Sequence, residues 1–139
     1  MMNYIIFIEI LLNFGLLVLI WMIQLIVYPS FLYYDTKGLV IWHKMYTSRF
    51  SFIVIPLMLS QLFISFYQLI TVTSLYTVIS FVTILLIWAS TFLQFVPIHF
   101  NISKGIVDEK VLISLVKKNW IRTILWTFLF IYSIFNYFI

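Results

Sequence analysis

The sequence predicts an all-α integral membrane protein, an antiparallel bundle of four transmembrane helices that forms a single domain over residues 1–139. The chain is 65% hydrophobic and only 9% charged, and its mean hydropathy is +1.16. Soluble domains do not show such a composition. Four apolar segments each exceed the roughly 18 residues that a helix needs to cross the hydrocarbon core. They are continuously apolar rather than alternating, which argues against the short strands of a membrane barrel.

The spans are predicted at residues 4–28, 41–70, 75–96 and 119–138, with polar connections at 29–40 and 97–118. Proline removes a backbone donor and clashes with the preceding helical turn, so Pro29 is expected to end the first span. The second helix is expected to start near Leu39, ahead of the hydrocarbon core, and to bend at Pro56.

A short interfacial helix is predicted inside the connection 97–118. Asp108 is a suitable cap for its first turn. Its apolar face would lie on the membrane surface, and this face comprises Val111, Leu112, Leu115 and Val116.

The basic residues predict the orientation of the bundle. All eight lie in the two polar connections or at the helix ends beside them, namely Lys37, Lys44, Arg49, Lys104, Lys110, Lys117, Lys118 and Arg122. The short connection 71–74 and both ends of the chain contain none. Basic residues are retained on the cytosolic side of a membrane. We therefore expect both polar connections in the cytosol and both termini outside, and we attribute the net charge of +4 to topology and lipid headgroups, not to nucleic acid.

Polar side chains recur on one face of each predicted helix. Because a polar group that faces lipid is costly, these faces are expected to point at one another inside the bundle. For the Ser and Thr residues, hydrogen bonding between helices is the simpler explanation. The faces comprise Glu9, Asn13, Gln24 and Tyr28; then His43, Tyr46, Gln61, Ser65 and Gln68; then Ser80, Thr83, Ser90 and Gln94; and last Asn119, Arg122, Thr123 and Trp126.

The cytosolic end of the bundle collects an unusual density of these polar groups. An ordinary belt of Tyr, Trp, Lys and Arg at the headgroups is the alternative explanation, but such a belt does not account for amides and histidines. Tyr28, Asp35 and Arg49 are expected in the same layer. The predicted site consists of Gln24, His43, Tyr46, Gln94, His99, Asn119 and Arg122.

The histidines leave several kinds of chemistry open. His43 and His99 are predicted at similar depth on adjacent helices, where they would suit bis-histidine haem ligation, proton transfer or a structural role. Two histidines do not make a zinc site, even if Asp35 joined them from its loop. No catalytic motif is present, so no catalytic residue or metal is assigned and enzymatic activity stays open. Glu9 is the one acidic residue within a predicted span and therefore a candidate functional residue. Its place near the outer boundary would, however, let it reach water.

Four sequence stretches carry a resemblance to a known family. The stretches "QLIVYPSF", "WHKMYTSRFSFIVIPLM", "FVPIHFNISKG" and "LVKKNWIRTILW" resemble an uncharacterised family of small four-helix bacterial membrane proteins. More remotely, the chain is similar to the anthrone-oxygenase-like family of membrane domains. The resemblance implies the bacterial inner membrane but no established reaction. The residues that match the family pattern are Tyr28, Pro29, Phe31, His43, Tyr46, Pro56, Met58, Pro97, His99, Asn119, Trp120, Arg122 and Thr123.

These observations predict that the protein binds a lipophilic ligand or cofactor. Haem is one candidate for the cofactor, and a redox reaction is one candidate for the function. The molecule would enter from the bilayer, and His43, His99, Asn119 and Arg122 would orient its polar end. The guanidinium of Arg122 would suit a carboxylate, a phenolate or a haem propionate. The alternative is a non-catalytic subunit or assembly factor of a larger membrane complex. The expected partners are membrane lipids, the lipophilic molecule, and such a complex or a homo-oligomer.

Overall fold

The computed structural model describes residues 2–139 of the chain, with side chains from residue 4 onward. The first helix, α1, starts as the regular segment Met2–Met22. It widens into a π-helical turn at Ile23–Val27, returns to α-helix at Tyr28–Ser30 and closes with a 3-10 turn at Phe31–Tyr33. Pro29 therefore lies within the helix and does not end it.

Three further helices complete the fold. Helix α2 is the unbroken segment Thr36–Thr71, with Pro56 in its interior. Helix α3 has three parts, Leu75–Ser90, a π-helical turn at Thr91–Phe95 and Val96–Ser103. Helix α4 runs over Glu109–Phe138. All four helices are long and apolar enough to cross a membrane, which confirms the predicted all-α, four-helix membrane fold.

The connections between the helices are shorter than the sequence predicts. Asp35 caps α2 by accepting a hydrogen bond from the amide of Gly38 at 3.2 Å. Ser74 caps α3 through a reciprocal capping box with Thr77. Gly105 has φ +78°, a left-handed conformation that glycine adopts without steric cost. This residue lets the chain reverse between α3 and α4.

Several predicted boundaries therefore need correction. Helix α2 begins at Thr36 instead of Leu39, and α3 continues to Ser103 through part of the predicted connection 97–118. The π-helical turns explain how α1 and α3 pass Pro29 and Pro97. Each wide turn interrupts the regular backbone ladder just before the proline, where its ring would otherwise clash.

The helix predicted after Asp108 forms, but as the first turns of α4, and it is not interfacial: Leu112 and Leu115 are buried in the bundle core instead of lying on the membrane surface. The side chain of Asp108 accepts a hydrogen bond from the amide of Lys110 at 3.3 Å, as expected of a cap. No proline or glycine lies between residues 109 and 138. The helix therefore continues from the capped turn into the fourth span without a break.

The four helices form a ring in which α1 and α3 each pack against both α2 and α4. Consecutive helices are antiparallel because their connections are short. The polar faces predicted from helical periodicity point inward, and the large apolar side chains of the outer faces are exposed, as a lipid-facing surface requires. We call the end with the connections 34–35 and 104–108 the basic end, and the end with the turn 72–74 and both chain termini the terminal end.

Candidate functional site

Arg122 of α4 is the centre of a buried polar network at the basic end. Its side chain is only 7% exposed. Its Nε and Nη2 atoms donate to Oδ1 of Asn119 at 3.1 and 2.7 Å, and Nη2 also donates to the hydroxyl of Tyr28 at 3.1 Å. Its Nη1 lies 3.4 Å from the hydroxyl of Thr91, and its guanidinium carbon lies 3.5 Å from the ring centroid of Phe95. The charge is thus held by neutral oxygens and an aromatic face.

Three of the four residues that contact Arg122 lie in or directly after the two π-helical turns. The turn in α1 ends directly before Tyr28, and the turn in α3 begins with Thr91 and ends with Phe95. A π turn holds an extra residue, so it changes the face on which the following side chains project. The wide turns thereby aim groups from α1 and α3 at the same point on α4.

The two histidines extend this network to α2. His43 Nε2 and His99 Nδ1 are 2.7 Å apart, and the two rings stack with their centroids 4.9 Å apart. His99 Nε2 lies 3.1 Å from the hydroxyl of Tyr28, and His43 Nδ1 lies 3.4 Å from the hydroxyl of Ser103. Ser103 in turn donates to the backbone carbonyl of His99 at 2.9 Å and is exposed. The network therefore reaches from the buried arginine to the protein surface.

We infer a direction for this chain of hydrogen bonds from the one group in contact with it that can only donate, Arg122. An arginine only donates, so the oxygen of Tyr28 accepts from Arg122 and its own hydrogen is available to His99 Nε2. With Tyr28 as the donor to His99, the matching tautomer of His99 carries its proton on Nδ1 and donates to His43 Nε2. His43 likewise carries its proton on Nδ1, which faces the hydroxyl of Ser103. The four groups, which we call the relay, are Tyr28, His99, His43 and Ser103.

Amide groups close the other side of the network. Gln24 Oε1 accepts from Asn119 Nδ2 at 2.9 Å and from the hydroxyl of Thr123 at 3.1 Å. Gln24 Nε2 donates to the carbonyl of Val116 at 3.1 Å. Every polar side-chain atom of this group thus has a partner, which fixes the position of Asn119 under the arginine.

A cavity of about 270 Å³ adjoins the network inside the bundle. Its walls are apolar over most of their length, and its polar end is formed by Tyr28, His99 and Arg122. Among its wall residues, Ile55 of α2 and Phe92 and Val96 of α3 are exposed on the outer surface of the bundle. The cavity therefore opens sideways between α2 and α3, toward the lipid.

Five of the seven predicted site residues meet in this network, namely Gln24, His43, His99, Asn119 and Arg122. Tyr46 lines the cavity and packs edge-on against Phe31. Gln94 lies outside the network and accepts a hydrogen bond from Ser90 at 3.1 Å. The reason is that Gln94 belongs to the π-helical turn of α3, where the regular helical period that placed it on the inner face does not hold.

Two other residues expected in the layer lie at the surface. Asp35 is exposed and serves as the cap of α2, so it is no third ligand beside the histidines. Arg49 is exposed as well. Ser103 and Phe95 are site residues that the sequence argument missed. Ser103 lies one helical turn beyond His99, but the expected loop over 97–118 concealed that spacing.

Bis-histidine haem ligation does not fit this arrangement. An iron atom between two imidazoles needs ring nitrogens roughly 4 Å apart, since metal–imidazole bonds are about 2 Å long. His43 Nε2 and His99 Nδ1 are separated by 2.7 Å and hydrogen-bonded to each other. Within residues 2–139, no three His, Asp or Glu side chains gather into a metal-binding group either.

Comparisons of the chain with protein-family models, curated proteins and solved structures give no match. The resemblance carried by the sequence motifs accordingly stays a prediction.

Proposed function

We propose that the protein takes a lipophilic, weakly acidic molecule of the phenol class from the bilayer, holds its oxygen against Arg122 and conducts its proton to the basic end. The observation that supports this proposal is the unbroken series of contacts in the relay, which begins at the cavity wall with Tyr28 and ends at the exposed hydroxyl of Ser103. A purely structural cluster has no need to connect an apolar cavity to the surface.

The cavity suits a small apolar ligand. Its volume of about 270 Å³ is slightly below the roughly 300–1,000 Å³ typical of ligand sites, so it suits a molecule of one or two rings. The indole Nε1 of Trp88, a wall residue, is buried and has no partner among the described residues. It offers a hydrogen-bond donor to a ligand oxygen, and the lateral opening suits entry from lipid.

The charge of Arg122 favours an anionic ligand. The four acidic residues of the chain are Glu9, Asp35, Asp108 and Glu109, and none of them belongs to the network around the guanidinium. A buried charge is costly without an opposite charge. A phenolate oxygen in the cavity would supply that charge, and the planar guanidinium is a good donor to such an oxygen.

The inferred direction of the relay gives the path of the proton that the ligand loses. The ligand O–H bond breaks and its electron pair stays on the ligand oxygen. The oxygen of Tyr28 takes the proton while its own hydrogen passes to His99 Nε2. His99 passes its Nδ1 proton to His43, and His43 releases a proton through Ser103 to water at the basic end. Neutral histidines suit this role near neutral pH.

A spectroscopic titration tests this function. The probe is 4-nitrophenol, whose anion is yellow, added to purified protein in detergent at a pH where the free probe is mostly neutral. We expect the wild type to increase the anion fraction, and Arg122→Gln to weaken anion binding by roughly ten- to a hundredfold, as expected for hydrogen bonds to a charged group. Tyr28→Phe should retain binding but slow the release of the proton.

Gln94→Leu is the matched control, because Gln94 lies on the same helix layer but outside the network; it should behave like the wild type. An unchanged spectrum with the wild-type protein would refute the proposal. So would full anion binding by Arg122→Gln. A protein that binds no phenol but copurifies with a stoichiometric protein partner would favour the subunit alternative instead.

The distribution of Lys and Arg supports a cytosolic position for the basic end, and under this proposal the proton would be released there. Lys37→Cys and Lys104→Cys variants in intact cells test this orientation. Both positions are exposed at the basic end. We expect them to resist a membrane-impermeant thiol reagent and to react after the cells are opened; labelling of intact cells would reverse the orientation.

A further inference from the structure

A second buried polar cluster lies at the terminal end, far from the relay along the helices. Glu9 of α1 is 1% exposed, and its Oε2 accepts a hydrogen bond from Nε2 of Gln68 at 3.0 Å. The expectation that this carboxyl group reaches water is therefore wrong. Helices α2 and α3 extend past it and cover it.

Five oxygens at this end are buried and form no hydrogen bond of good geometry with the described residues. Buried polar atoms are nearly always paired, so each exception needs a reason. The five unpaired atoms at this end are all oxygens, and they are concentrated at one end of the bundle. They are Oε1 of Glu9, Oε1 of Gln68, and the hydroxyls of Ser65, Tyr76 and Ser80.

The side chains that carry these oxygens are neighbours. Gln68 is bonded to Glu9, and the hydroxyl of Tyr76 lies within reach of the carboxyl of Glu9 and the hydroxyl of Ser80 for hydrogen bonds of loose geometry. Ser65 lies one helical turn before Gln68 on the same inner face of α2, and both are buried. Helices α1, α2 and α3 thus contribute oxygens to one region.

Among the residues that the structure describes, no basic side chain lies near the carboxyl group of Glu9. All eight Lys and Arg residues lie at the opposite end of the helices, at positions 37–49 and 104–122. A carboxylate buried at this depth needs a positive partner or a proton. A smaller cavity of about 170 Å³, with Gln68, Tyr76 and Asn136 in its wall, leads toward the cluster from the terminal end.

We propose that this cluster binds one monovalent alkali cation, with Glu9 as the charged ligand. Carboxylate, amide and hydroxyl oxygens are the ligands that hard cations prefer. The charge count selects a monovalent ion: one carboxylate neutralises one positive charge, whereas a divalent ion would leave a net charge buried in the bundle. The unpartnered oxygens would then complete the coordination of the ion.

Thermal unfolding in different salts tests the site. Purified wild-type protein is compared in chloride buffers of equal ionic strength that contain N-methylglucamine, Na⁺ or K⁺. A ligand that binds only the folded state raises the melting temperature in a saturable way. We expect such a rise with Na⁺ or K⁺, and equilibrium binding of radioactive Na⁺ with one site per chain if Na⁺ is the ion that stabilises.

Single substitutions test whether the cation that raises the melting temperature binds at Glu9. Glu9→Gln should abolish the dependence on the cation, and Tyr76→Phe and Ser80→Ala should each raise the half-saturating concentration roughly tenfold, the loss expected for one polar contact. The control is Thr73→Ala at the same end, whose hydroxyl bonds to its own helix. It should respond to the cation like the wild type.

Two results would overturn the cation site. The first is a melting temperature that is equal in all three salts. A melting temperature that depends on pH but not on the cation belongs to the same result, because Glu9 would then carry a proton instead of binding an ion. The second is a cation dependence that persists in Glu9→Gln. Because this test uses no phenol and no relay residue, its outcome is independent of the function proposed for the basic end.

Discussion

The two ends of the bundle use the same kinds of side chain in opposite ways. At the basic end, Arg122, Asn119 and Gln24 are joined by hydrogen bonds of 2.7 to 3.1 Å. At the terminal end, Glu9 has one bonded and one unbonded oxygen, and four neighbouring oxygens also lack partners. A saturated network holds its members in one geometry, which a relay needs. An unsaturated set of oxygens is ready to receive a ligand.

The two ends also differ in the sign of their buried charge. Arg122 has no acidic partner at the basic end, and Glu9 has no basic partner at the terminal end. Between them, Gln61 Nε2 donates to Oδ1 of Asn13 at 2.7 Å, and Gln61 Oε1 lies 3.4 Å from the indole nitrogen of Trp126. The two charges are therefore kept apart by a neutral polar layer, and each is left to be neutralised by a ligand of opposite sign.

The largest expected loss of stability is at the basic end, on substitution of Asn119. In Asn119→Leu, the buried guanidinium of Arg122 loses two of its acceptor contacts and Gln24 Oε1 loses a donor. We expect a loss of about 3 kcal/mol in the free energy of unfolding, because a buried charged group is left without its partner. Denaturant unfolding in detergent measures this loss. A change below about 1 kcal/mol would show that the network is not tightly paired.

The relay should show coupling between its members. Tyr28→Phe and His99→Gln each break the same hydrogen bond, so the double variant should lose less stability than the sum of the single losses. We expect a coupling energy of about 1 kcal/mol, within the range known for residues in contact. Pairing Tyr28→Phe with Gln94→Leu gives the control, whose coupling should be near zero. Additive losses in the first pair would remove the relay as a connected unit.

The terminal end should respond in the opposite direction when its charge is removed. In a buffer with N-methylglucamine as the only cation, Glu9→Gln should be as stable as the wild type or more stable by about 1 kcal/mol, because it removes a buried group whose charged form has no partner. Unfolding in that buffer measures the difference. A large destabilisation in the absence of alkali ions would mean that Glu9 is fully satisfied by the protein, and the contrast between the two ends would fail.

Helical periodicity predicted the inner faces well where the helices are regular. Glu9, Asn13 and Gln61, placed on the inner faces by their spacing, are all buried. The prediction failed for Gln94, because an extra residue in a π-helical turn shifts the phase and leaves no clear signature in sequence. Helix ends were predicted too early at Pro29 for the same reason: proline ends a regular helix, but a wide turn before it lets the helix continue.

The hydrogen-bond pattern itself lay beyond the reach of the sequence. Spacing placed His43, His99 and Arg122 in one layer, and the structure brings them together. Which nitrogen contacts which oxygen depends on the distances between helices, and these follow from packing across the whole bundle. The unpaired oxygens around Glu9 were hidden for the same reason, since a missing partner becomes visible only once all neighbours are known.

The central claim is the direction of the relay, and nitrogen NMR of histidine-labelled protein measures it. The chain has two histidines, and His43→Gln assigns their signals. At pH 7 we expect two neutral rings that carry their protons on Nδ1, and a change at His99 in Tyr28→Phe, which removes the donor to its Nε2. A proton on Nε2 of His99, or a positively charged ring at either position, would contradict the direction from which the proposed function is derived.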